Sequence, residues 1–411
     1  MGSARHVPVA IAHDYLTQAG GAERVVLDLA RTFPDAPIYT SLYHASGTFP
    51  EYAMHNIRAS ALNRIPLLRN DHRLALPLLA PAVSRMTIPA DVTIASSSGW
   101  AHGFHTTGRK VVYCHAPARW LYQTARYLGN GDGQPAKDRY RRTLAQIAVK
   151  ALGGPLRRWD RKAAFSADRY LVNSTAVRAA VKEVYGIDAE IIPPPPAMDP
   201  DGAAHEIDGL QPGFVLCVAR LLPYKNVDMV IAAMQELPDH QLVVVGDGPD
   251  LRRLADLAEH LGGSIQPDGT TRGRIALLGR VSDDQLRWLY SRASMLVAAS
   301  FEDYGLTPLE AAMFGKPTVA LRAGGYLDTV AEGTSGVFFD VLTPAAIADA
   351  VAETDDFDWE PAEILVHADR FSPKRFQRRI HAAVDGLTQN EVPDKSSPQG
   401  STEANDAGAL S

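Results

Sequence analysis

Cysteine is scarce in this chain: two occur in 411 residues, Cys114 and Cys217, each inside an apolar run. So few exclude a disulfide framework and a thiolate metal site, and their setting marks them as small buried hydrophobes in a reducing compartment. Long hydrophobic runs are missing as well. No stretch approaches the ~20 apolar residues a membrane-spanning helix needs, and the opening MGSARHVPVAIAHDY has no adequate h-region, so a cytoplasmic protein is expected. Positive charge is not in excess. The 41 Lys and Arg face 47 Asp and Glu, a formal charge of -6, which argues against nucleic acid as the main partner. No strand leads into a G-x-G-x-x-G turn, which speaks against a dinucleotide-dependent oxidoreductase.

What is present is ordinary for a globular enzyme, with 46% apolar and 21% charged residues. The length exceeds one core, and two domains are expected. The first opens with a strand over Val7–His13, then Asp14 to Gly21, then a helix from Ala22 to Phe33. Strand, Gly20-Gly21 and helix resemble a phosphate-approach loop, although a plain tight turn accounts for the two glycines equally well. Further strands are predicted over Ala36–Thr40, Val92–Ser96, Lys110–Cys114, Arg169–Asn173 and Glu190–Ile192. Strands alternating with helices mean an α/β, mainly parallel sheet, whose ligands bind beyond the carboxyl ends of the strands. His13 with Asp14, His115, and Asn173 with Ser174 stand at such ends.

Two stretches interleave positive charge with apolar residues. One is Asn56–Met86, with Arg58, Arg64, Arg69, Arg73 and Arg85; the other is Lys137–Lys162, with nine Lys or Arg against Asp138 and Asp160. Both read as solvated helix faces or as surfaces for an anionic membrane, so contact with the inner face of the membrane stays open.

Four consecutive prolines within Ile191–Pro200 form a stiff connector, and the boundaries follow: residues 1–195, 196–388, and a tail over 389–411 expected to be disordered. The second domain repeats the same grammar. Strands are predicted over Phe214–Arg220, Gln241–Gly246 and Ile275–Leu278, with helices over Asn226–Leu237, Asp250–Leu261 and Ser282–Arg292, then near Pro344–Glu353 and from Pro373 to about Leu387. Its centre is Ala299–Val330. There a strand at Met295–Ala299 turns into a helix, with Thr307 expected as N-cap, Pro308 in the first position and Glu310 completing a T-x-x-E capping box. Gly305 would let a ligand approach the amides, with Glu302 and Glu310 flanking it. Upstream, Arg220 and Lys225 follow a strand and together suit a diphosphate. The loops Gly246-Asp247-Gly248-Pro249 and Gly279-Arg280-Val281 complete the strand ends.

Two Rossmann-like units, HDYL with GGAERVV, YCHAPARW, and above all EDYGLTPLE, with seven residues between Glu302 and Glu310, resemble the retaining glycosyltransferases of family 4, over about Val7–Leu387. The resemblance implies the GT-B architecture, two doubly wound domains facing across a cleft. Its nearest branch is the bacterial mannosyltransferase-like one that builds polysaccharides or glycolipids, many with GDP-mannose. It implies that Arg220 and Lys225 hold the donor diphosphate, Glu310 the ribose, and Glu302 with the amides of Asp303, Tyr304, Gly305 and Leu306 the transferred sugar. Gly20 and Gly21 would complete the phosphate site, His115 would lie near sugar and acceptor, and Asp14 and Arg119 would touch the acceptor. Gly246 and Val281 would meet the base. No cofactor or metal is implied; the nucleotide sugar is substrate, and the acceptor is a glycan or lipid-linked hydroxyl. The segment after His115 departs from the family pattern in reading Arg119-Trp120-Leu121-Tyr122-Gln123. A UDP- or dTDP-sugar donor, a small-molecule acceptor and an inactive nucleotide-sugar-binding partner are the other readings.

Overall fold

The computed structural model describes residues 8–70, 72–122, 153–266 and 268–388. The tail 389–411 and most of the basic run 137–162 lie outside the described residues.

The first half is a seven-stranded parallel sheet in the order Ile57–Ala59, Ile38–Thr40, Val9–His13, Val92–Ser97, Arg109–Cys114, Arg169–Val172, Glu190–Ile191. Side chains alternate along each strand, so one sheet feeds two cores. Ile11, Ile94, Val111, Tyr113 and Leu171 pack on Val25, Val26 and Leu29 of the helix Gly21–Thr32. Ala10, Ala12, Ala95, Val112, Cys114 and Val172 face the opposite layer, with Val177 and Val181 of the helix Thr175–Tyr185. The apolar runs of the sequence are continuous because both faces are covered.

The second half is a six-stranded parallel sheet in the order Ile275–Leu277, Leu242–Val245, Val215–Val218, Met295–Ala298, Thr318–Leu321, Gly336–Phe339. In both sheets the strand order reverses beside the first strand. That reversal opens a crevice at the carboxyl ends, between Val9–His13 and Val92–Ser97 in one half and between Val215–Val218 and Met295–Ala298 in the other. Two doubly wound units were expected, and both are present.

The expected boundaries need one change. The final helix, Pro373–Thr388, falls within the expected second domain, but its Phe376, Ile380, Ala383 and Val384 pack in the core of the first sheet, beside Ile11 and Tyr113. Their spacing makes one apolar stripe, and the first sheet supplies its cover. Arg169 donates to the Ala383 carbonyl at 3.2 Å, and Arg379 donates to the Ile191 carbonyl. The proline connector is not a bare tether either, since Pro194, Pro195 and Pro196 are buried and the Tyr304 hydroxyl donates to the Pro194 carbonyl at 2.7 Å. Cys114 and Cys217 are free and buried. Among the described residues no helix is long and apolar enough to cross a membrane.

Candidate active site

Beyond Met295–Ala298 the chain turns through Ser300–Gly305 into the helix Leu306–Ala312. Glu302 is fixed there from two sides: its Oε1 accepts from the Ser300 hydroxyl at 2.5 Å and forms an ion pair with Lys225. Ser300 is in turn within 3.1 Å of the Tyr326 hydroxyl. Lys225 ends the short turn Pro223–Lys225, which Asn226 closes in the left-handed region at φ 56°, a conformation asparagine tolerates. The Asn226 amide donates to the Ala299 carbonyl at 2.9 Å, stitching the lysine loop to the glutamate loop across the crevice. Arg220 stands exposed on the same lysine loop, with no ion pair among the described residues. Of the expected phosphate and sugar ligands, Arg220, Lys225 and Glu302 are therefore gathered at one switch point.

The helix start differs from expectation. The N-cap is Gly305 and not Thr307, so Pro308 falls in the third helical position and the Thr307–Glu310 capping box does not form. Glu310 accepts instead from the Tyr290 hydroxyl at 2.8 Å. Burial pushes its carboxyl up, while the Tyr290 bond and the charge of Arg24 draw it back.

Gly305 also has another reason than ligand approach. A Cβ there would lie 2.5 Å from the Tyr326 ring and 2.7 Å from Thr329 Oγ1. The glycine is needed for the loop to pack on Tyr326–Thr329. Gly246 is similar: with φ 138°, its Cβ would fall 1.9 Å from the Ala219 carbonyl oxygen. Its amide donates to the Gly279 carbonyl at 2.9 Å, which places the Gly246 loop beside the Gly279–Val281 loop. Val281 is half-buried just before Ser282, whose capping box with Gln285 forms as expected.

From the first half, Gly20 is the N-cap of Gly21–Thr32, and the Cβ position of Gly21 lies 3.6 Å from Leu306 Cδ1. The two-glycine loop and the Glu302–Glu310 segment thus face each other. Four further bonds span the halves. Arg119 pairs with the Asp303 carboxylate, the Ser174 hydroxyl donates to the Asp303 carbonyl at 2.5 Å, and Thr175 donates to Asp328 from its amide at 2.9 Å and its hydroxyl at 2.5 Å. The Asp303 and Tyr304 side chains are engaged in these cross-contacts.

His115 is buried, its Nε2 2.8 Å from Ser96 Oγ. Burial, reinforced by the neighbouring His13 and Arg119 charges, pulls its pKa down to about 3. Asp14, expected at the acceptor, is turned inward. Its carboxylate accepts from the amides of Ser98 at 2.6 Å, Trp100 at 3.0 Å and Ala101 at 2.6 Å, and it is 3% exposed. It pins the turn after Val92–Ser97 instead. Arg119 is held by Asp303.

Glu23, Ser96, Ser300 and His13 have no role that the sequence alone announces. Glu23 is 2% exposed and lies 3.7 Å from His13 Nε2, with Oε2 unpartnered and 2.6 Å from where a Gly20 Cβ would be. The one signal available was position: Glu23 follows the glycine pair by two residues, and the others stand at strand ends. Among the described residues no group of three His, Cys, Asp or Glu side chains is placed to hold a metal.

A family model described as Glycosyltransferase Family 4 matches residues 19–196, and one described as Glycosyl transferases group 1 matches residues 205–354. The chain is 31% identical over 198 residues to the GDP-mannose-dependent alpha-(1-6)-phosphatidylinositol monomannoside mannosyltransferase of Mycolicibacterium smegmatis, covering 44% of this chain and 51% of that one. It is 29% identical over 298 residues to the D-inositol 3-phosphate glycosyltransferase of the same organism, covering 63% and 65%. The chain thus spans about half to two thirds of the length of these two relatives. Among solved structures, Anabaena HepE in complex with UDP-glucose superposes with a TM-score of 0.65 at 18% identity, over 93% of this chain and 100% of that one. Sucrose-phosphate synthase from Thermosynechococcus elongatus gives 0.63 at 18%, over 94% and 100%. At such identity these two establish a shared fold.

Proposed function

The chain belongs to the family 4 glycosyltransferases of the GT-B architecture, and from that premise we propose that it moves a hexose, mannose from GDP-mannose, to a hydroxyl of a glycolipid or polysaccharide intermediate with retention of configuration. The observation that carries this reading is Lys225 and Ser300 converging on Glu302 Oε1 at the switch point of the second sheet, opposite Gly20-Gly21. Lys225 pairs with Glu302. When the nucleotide sugar enters, Arg220 and Lys225 meet the diphosphate, where charge grows as the glycosidic bond breaks. Glu302, still held by Ser300, presents Oε2 to a sugar hydroxyl, and Glu310 takes the ribose. Among the described residues the other nearby carboxylates are engaged, Glu310 by Tyr290, Asp303 by Arg119 and Asp14 by three amides, so attack on the face the diphosphate leaves, with the leaving phosphate taking the acceptor proton, fits better than a double displacement.

Mannose is supported by a relative whose name specifies GDP-mannose. A UDP-sugar donor is the second reading, favoured by the UDP complexes of structural neighbours. An acceptor at a lipid surface agrees with the helices Pro66–Asn70 and His72–Ser84, which expose Leu67, Leu74 and Leu78 beside Arg64 and Arg85, a combination suited to an anionic bilayer. The deciding experiment is a thermal-shift screen with GDP, UDP, dTDP and ADP, followed by transfer from the matching sugar to lipid-linked acceptors in anionic vesicles. A shift with GDP and mannosyl transfer, lowered about a hundredfold by Lys225→Ala, is expected. A shift with UDP alone replaces the donor, and no shift with any nucleotide refutes the proposal.

A further inference from the structure

At the switch point of the first sheet four buried polar side chains form a line. Glu23, His13, Ser96 and His115 are each 8% exposed or less. Glu23 Oε1 is 3.7 Å from His13 Nε2. His13 Nδ1 is 3.0 Å from the Ser96 carbonyl oxygen and 3.1 Å from Ser96 Oγ, and Ser96 Oγ is 2.8 Å from His115 Nε2. The register that pairs His13 with Ser96 in adjacent strands fixes the first contact, and the parallel ladder from Val92–Ser97 to Arg109–Cys114 brings His115 to the second.

Proton placement follows from one carbonyl. A carbonyl oxygen only accepts, so His13 Nδ1 carries a proton. Ser96 Oγ accepts from that same N–H, which leaves its own hydrogen to donate, and His115 Nε2 is the acceptor in reach. We propose that His13 and Ser96 are positioning residues that hold His115 as the neutral Nδ1–H tautomer, so that it offers the cleft a hydrogen-bond donor and not a base. In the opposite arrangement, with the proton on Nε2, the buried Ser96 hydrogen has no acceptor among the described residues, and such orphaned donors are costly. Nδ1 itself has no protein partner among the described residues, so it is the ring nitrogen left for a ligand oxygen.

The surrounding charges agree. Burial lowers the His13 pKa, but the nearby Glu23 carboxylate, the Asp14 charge and the Ser96 carbonyl outweigh it and raise it above the ordinary value. His115 is held neutral first by burial and then by His13 and Arg119, which it faces, with the Tyr113 ring at 5.3 Å. This inference deepens the proposed transfer and rests on it for the identity of the oxygen that His115 meets. A donor and not a base beside the sugar matches attack in which the leaving phosphate takes the proton.

The test is long-range proton–nitrogen NMR of the full chain labelled at histidine, at pH 7, with the His115 signals assigned by His115→Gln. Nδ1 protonated and Nε2 bare is expected; a proton on Nε2 in the unsubstituted protein overturns the proposal. Ser96→Ala should move the proton toward Nε2 and lower transfer about tenfold, the scale of one hydrogen bond, while Ser96→Thr should keep the tautomer. Retention of the Nδ1–H form in Ser96→Ala would also overturn it. If Ser96→Ala does not fold, the spectra of the unsubstituted protein and of Ser96→Thr still decide. The spectra need no sugar, so a wrong donor assignment leaves this result standing and a wrong tautomer leaves the donor assignment standing.

Discussion

Asp14 and Glu302 are both carboxylates just past the end of a parallel strand, yet only Glu302 has an oxygen left for a ligand. The difference lies in what reaches them. Three amides of residues 98–101 close on Asp14, whereas Glu302 meets one hydroxyl and one ammonium on a single oxygen. The amides that claim Asp14 lie more than 80 residues along the chain, and no spacing in the sequence announces them. Glu302 and Glu310 were legible because both sit on one short segment. His115 was legible as a strand-end residue but not as a neutral one, since its state depends on His13 and Ser96 in other strands. That state has a consequence for stability. Below 6.5 the unfolded chain binds a proton that the folded ring refuses until about pH 3, so the stability held above 6.5 is lost as pH falls through that window. The slope approaches ~1.4 kcal/mol per pH unit at most. His115→Asn should flatten this acid limb, measured by urea unfolding at pH 7 and pH 5; an unchanged difference between the two pH values would refute the neutral ring.

Strand, turn and helix around Glu302 could be read from an apolar run followed by helical spacing, but the first residue of the helix could not. Thr307-Pro308-Leu309-Glu310 is a sound local capping signal, and the tertiary fit of Gly305 against Tyr326 and Thr329 overrode it. Gly324 and Gly325 belong to the same fit, for a Cβ on either would press within 2.2 to 2.5 Å of the Glu302–Tyr304 backbone. The strands Ile57–Ala59, Thr318–Leu321 and Gly336–Phe339 went unread for a related reason. With three or four residues each they carry little periodicity, and their partners lie elsewhere in the chain. Gly305→Ala should therefore destabilise the protein by ~1 to 3 kcal/mol through overpacking and lower transfer by shifting Glu302. Gly154→Ala, which enters open space, serves as the control and should be near neutral. Equal unfolding midpoints for the two variants would remove the packing role assigned to Gly305.

Across the whole molecule, the repeated sheet order made two doubly wound units predictable, while the bonds that hold them face to face join residues 110 to 184 positions apart. Thr175 with Asp328, Ser174 with Asp303, Arg119 with Asp303 and Tyr304 with Pro194 form one seam beside the candidate site. Most of it is solvent-accessible, so each bond contributes ~1 kcal/mol or less. A change of that size still alters a closed-to-open ratio up to about fivefold. Asp328→Ala deletes both bonds from Thr175. Its folded halves should remain intact by circular dichroism while small-angle scattering records a larger radius of gyration without nucleotide. Water then enters the cleft more often, and a sugar poised for transfer is exposed to it. The ratio of donor hydrolysis to transfer should rise several-fold. An unchanged radius together with an unchanged ratio would mean that the returning helix Pro373–Thr388, packed on the first sheet, is sufficient to keep the halves together and that the seam is incidental to closure.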